Sequence, residues 1–179
     1  MLKKVLIASL ALFSIMHVSA YAQSPADLND LEIAHVAYTA DSIDIRYAHL
    51  ALAISENPTV REFAETMIRD HSAVNEKALA LLNKLNVLAQ DNFLSRQLNA
   101  QANQLVDEMS GLRGKEFDRR YAENELSYHR SVNGLVAGTF IPNIENPEVK
   151  ALFEEAIVIF KAHERHAEKV VKMLESQGS

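Results

Sequence analysis

The sequence predicts an all-α protein: four long helices in a bundle, with a shorter helical crossover between the second and the third. Three observations carry this. Only 5 Gly and 4 Pro occur in 179 residues, so there are few places where a helix must break. Apolar residues recur at three- and four-residue steps over long stretches, the period of a helix with one buried face. No strand pattern competes with that period.

Residues 1–22 read as an address and not as part of the fold. Lys3 and Lys4 precede an apolar run from Val5 to Val18, and Ala20-Tyr21-Ala22 sets small residues where a signal peptidase reads. The run is roughly 14 residues, where a membrane span needs about 20. Cleavage after Ala22 is expected, leaving a mature domain of 23–179 in a bacterial periplasm, without a membrane span.

Along that domain, Ser24-Pro25 can cap and start a first helix over 25–56. Asn57-Pro58 repeats the device, and Val60, Phe63, Met67, His71, Val74, Ala78, Leu81 and Leu85 form the stripe of a second helix that fades near Asn86. Asn92 caps the crossover from Phe93 to Met109, which Gly111 and Gly114 end. A third helix runs from about Lys115 to Phe140, where Pro142 stops it. Asn146-Pro147 opens the fourth, with Val149, Phe153, Ala156, Phe160, His163, Ala167, Val170 and Leu174 on one face. The segments Glu56–Arg61 and Glu145–Lys150 are alike, which points to a duplicated hairpin. Two hairpins joined by a long connection give the ferritin-like arrangement.

Composition excludes several classes. There is no cysteine, so disulfides, thiolate metal sites and cysteine nucleophiles are absent. A formal charge of −6 supplies no basic field for nucleic acid. No phosphate loop or nucleophile elbow is present.

Polar residues on the apolar stripes carry the chemistry, because burying them costs free energy unless they are paired. His71 and His163 sit in the stripes of the second and fourth helices; Glu125 and His129 stand four apart on the third. Asp44 lies in the core row of the first helix, Met67 one turn before His71, and His166 three residues after His163. His49 lies nearer the opposite side of the first helix. Imidazoles and carboxylates from facing helices are how bundles build metal sites, and a thioether would favour Cu(I). A di-iron oxidase would need a Glu on each of two helices and a Glu-x-x-His pair on each of the other two, and that set is absent.

Phe63-Ala64, Met67-Ile68-Arg69-Asp70-His71-Ser72, Gly111, Phe117-Asp118-Arg119-Arg120-Tyr121, His129, and His163 with Ala167 together resemble the DUF4142 family, exported bacterial proteins with a ferritin-like fold. The resemblance spans the last three long helices and marks His71, His129 and His163 as the family's histidine positions. Asp44 stands where the family tends to carry Glu.

The leading expectation is an exported protein without catalytic turnover. It binds zinc or copper through His71, His129 and His163, with Asp44, Asp70 or Glu125 as a fourth or outer group and Met67 and His166 as further candidates. Histidines diverging to separate corners would sink it. A second is an envelope structural or interaction protein in which Asp70, Tyr121, Glu125 and the histidines form a hydrogen-bonded network that fixes helix register. A third is a ferritin-like oxidase, tested by oxygen uptake after iron loading.

Overall fold

Residues 23–177 are described by the structure, a computed structural model. The proposed leader, 1–22, lies outside them. The described chain is helical, with no strand among the described residues.

The first long helix starts later than the sequence suggests. Ser24 caps only a 3₁₀ turn, Pro25–Asp27, and Asp27 returns a bond to the Ser24 N–H. Asn29 then caps α1 (Asp30–Ile54), accepting from Leu31 and Glu32 while the Glu32 side chain accepts from the Asn29 N–H. Two reciprocal caps in succession stop the chain and restart it.

α2 (Pro58–Leu85) ends on Asn86 at φ 54°, a left-handed position that asparagine tolerates. α3 (Phe93–Ser110) is the crossover, opened by the buried cap Asn92. α4 (Gly114–Leu135) does not stop at Phe140. It widens into a π turn over Val136–Phe140, where the Ile141 N–H reaches the Val136 carbonyl, and continues as the single turn α5 (Ile141–Asn143). Pro142 cannot donate, and its ring crowds the carbonyl one turn back; the wider turn is a way to accommodate it without ending the helix. α6 (Pro147–Ser176) closes the chain. Asn57 and Asn146 share the same cap conformation, φ −72° and ψ 120°, so the repeated sequence segment is repeated in geometry.

α1 packs on α2 and α4 on α6, while α2 meets α6, α1 meets α4, and α3 lies along α1. Two large apolar clusters and a small one of Val74, Ala156 and Phe160 fill the interior. Tyr47, Phe63, Met67, Phe117, Tyr121 and Val170 belong to one of the large clusters, and Ile33, Val36, Phe140, Val149 and Phe153 to the other. Apart from Asp118, which accepts from Ser55 at one end, the buried acids and histidines of the four long helices fall where the segments that supply these two clusters meet. A polar layer is thus clamped between two apolar ones.

Candidate metal centre

Each long helix brings at least one ionisable group to that layer. α1 supplies Asp41 and Asp44, one turn apart; α2 supplies His71; α4 supplies Glu125 and His129; α6 supplies His163. None is more than 5% exposed.

The imidazoles are held from outside. His71 donates from Nδ1 to Asp41 Oδ1 at 2.8 Å, His129 from Nδ1 to the Glu125 backbone carbonyl at 2.9 Å, and His163 from Nε2 to Asp70 Oδ2 at 2.9 Å. Each ring keeps a second nitrogen: Nε2 of His71, Nε2 of His129 and Nδ1 of His163. All three are buried without a hydrogen-bond partner among the described residues. The three residues each bring a ligand nitrogen to within 4.8 Å of the others, so they converge. Asp44 Oδ2 stands 3.5 Å from His71 Nε2 and 3.5 Å from His129 Nε2. A void of about 10 Å³ opens among Asp41, Asp44, His71, His129, Asn133 and Phe160.

One ring nitrogen tied to a carboxylate or carbonyl, the other aimed at a common point, is the arrangement that orients histidine for a metal. Bonds of about 2.0 Å to a tetrahedral ion set nitrogens about 3.3 Å apart, so binding requires only a short inward adjustment.

The electrostatics divide the three rings. Burial works to lower the His71 pKa, but Asp44, Asp41 and Asp70 outweigh it and raise it to about 9. Burial, and the charge of His71, push His163 down to about 4, and burial lowers His129. Burial drives the Glu125 carboxyl well above its usual range, and the neighbouring Asp44 carboxylate adds to this. Without an ion, the positive charge of the cluster sits on His71, which faces Asp41 and Asp44.

The family model described as "Domain of unknown function (DUF4142)" matches residues 16–170. The chain belongs to this family. Neither the curated proteins nor the solved structures gave a match.

In this DUF4142 chain the remaining sequence candidates lie away from the converging nitrogens. Met67 is fully buried in the apolar cluster with Phe63 and Tyr121, where it fills space. His166 is half-buried, edge-on to Phe63 at 4.9 Å, and His49 is exposed. Asp70 points away from the cluster centre, as its adjacency to His71 on the helix requires, and is gripped by Arg69 at 2.7 and 3.1 Å while it holds His163. Asp41 is the residue of the cluster that the sequence did not single out. Its signal was the three-residue step to Asp44, which puts two acids on one buried face. Phe160, read as core, stacks on the His71 ring at 4.8 Å and 7° and walls the cluster.

Proposed function

We propose that this protein is an exported, ferritin-like four-helix bundle that binds one zinc or copper ion without catalytic turnover. His71, His129 and His163 are the ligands and Asp44 the fourth. The observation that carries the reading is a trio of buried histidines that bring ligand nitrogens within 4.8 Å of one another, each with one ring nitrogen anchored and the other without a hydrogen-bond partner among the described residues. Leaving such groups unpaired in an apolar interior costs about 1–3 kcal/mol apiece, and an ion would satisfy them together. Neutral imidazole and one carboxylate suit Zn(II) and Cu(II), and with Met67 in the apolar core no thioether weights the set toward Cu(I). Export rests on residues 1–22, whose charged start, apolar run and small-residue site form a secretory pattern. Among the described residues no helix is long and apolar enough to cross a membrane.

The test is metal content by mass spectrometry on protein purified without chelator or affinity tag. Near-stoichiometric zinc or copper, lost in His71→Ala, His129→Ala and His163→Ala, is the expected result; empty protein that also refuses added zinc and copper overturns it. A second reading keeps one observation in its favour: Asp41, the Glu125 carbonyl and Asp70 give every histidine a hydrogen-bond acceptor, as a structural network fixing helix register demands. That network leaves the inner nitrogens without a well-formed hydrogen bond, Asp44 standing 3.5 Å from two of them, which is why the metal reading stands first.

A further inference from the structure

The three-histidine site leaves a second set of buried groups unaccounted for. Both oxygens of Glu125 and Oδ1 of Asp44 are buried without a well-formed hydrogen bond, the two carboxyl groups facing each other with Asn124 alongside. Asp44 and Glu125 are each 0% exposed. With His129, they bring ligand atoms to within 4.8 Å of one another, a second grouping that shares His129 with the first but omits His71 and His163. An independent feature points to the same place. The Tyr121 hydroxyl, on a fully buried ring one turn before Glu125, also lacks a partner, and Glu125 and Asp44 are the charges that act on it. Two facing buried carboxyl groups beside an unpartnered phenol are satisfied either by a proton held between the carboxyls or by a cation that displaces it, since ionised groups in an apolar interior are paired or coordinate metal.

We propose that the cluster takes a second divalent cation at Asp44 and Glu125, beside Tyr121, with Asp44 shared between the two ions. The proposal rests on the first ion being held as described above. The two positions differ in chemistry. Three imidazoles select a borderline ion such as Zn(II), whereas carboxylates and a phenol oxygen suit a harder one such as Mn(II). The protein is thus built for two unlike ions.

The experiment loads the full mature chain with one equivalent of zinc and then titrates Mn(II), following free Mn(II) by its electron paramagnetic resonance signal. Uptake of one equivalent of manganese with zinc retained is the expected result in the wild type. Glu125→Gln, which keeps the shape, is expected to lose the manganese and keep the zinc; His163→Ala is expected to lose zinc first. Zinc-loaded wild type that leaves all the manganese free overturns this proposal while leaving the first site intact, and means that Asp44 and Glu125 share a proton instead. Wild type that holds neither ion overturns both. Because the wild-type titration decides by itself, a variant that fails to fold does not rescue the proposal.

Discussion

Asp41 holds the outer nitrogen of His71 at 2.8 Å and so fixes which nitrogen faces the cluster centre. Removing such an outer partner from a metal-bound histidine lowers affinity by about 10–100-fold. Asp41→Asn is therefore expected to weaken zinc or copper binding by that factor in competition with a chromophoric chelator, and an unchanged affinity would count against an orienting role. His71 itself sets a pH dependence. Unfolded histidine titrates near 6.5, whereas in the folded chain His71 is raised to about 9. Between those values the folded state holds a proton that the unfolded state lacks. The stability this gives the metal-free protein is full below about pH 6.5 and is lost as pH rises through about 9. Melting temperature in chelator, measured from pH 6 to 9.5, should decline across that interval in the wild type and decline less in His71→Gln; parallel curves would refute the assignment. An entering ion must displace the same proton, so metal affinity should rise over the same interval.

At the scale of the helices, boundaries follow caps, and caps were partly legible. Asn57-Pro58 and Asn146-Pro147 announced α2 and α6 because proline at the first helical position follows a capping asparagine. The start of α1 was misplaced because Ser24-Pro25 carries the same signature, and the competing cap at Asn29, with Glu32 three residues on, lies inside an apparently continuous apolar pattern. The two caps differ in consequence. Asn29 closes the first turn of a 25-residue helix with many buried residues, whereas Ser24 closes a three-residue turn with none. Asn29→Ala is expected to cost about 1 kcal/mol in chemical denaturation, and Ser24→Ala close to nothing; equal costs would mean that both caps hold the helix. The histidines were legible because each interrupts an apolar stripe. Which nitrogen His71 and His163 present was not, because that depends on Asp41 of α1 and Asp70 of α2, acids that meet their histidines only when the helices pack.

Across the whole molecule, the polar layer draws ionisable groups from all four long helices to a common point, and a ligand bound there ties the helices together. An ion that binds only the folded chain stabilises it by about 2.7 kcal/mol at a free concentration 100 times the Kd. For a chain of roughly this size about 1 kcal/mol moves the melting temperature by about 2–4 °C. Saturating zinc or copper is therefore expected to raise Tm by about 5–10 °C, and chelator to reverse the rise. The control is His163→Ala. It removes the only ligand from α6, so α6 is no longer tied to α1, α2 and α4 through the ion, and its Tm should respond weakly to metal. A hydrogen-bonded network without metal predicts the opposite pattern: wild-type Tm indifferent to both zinc and chelator, and His163→Ala destabilised equally with and without them. Differential scanning calorimetry of the two proteins under the two conditions separates these outcomes, because only an ion makes the cost of losing His163 depend on what is dissolved outside the protein.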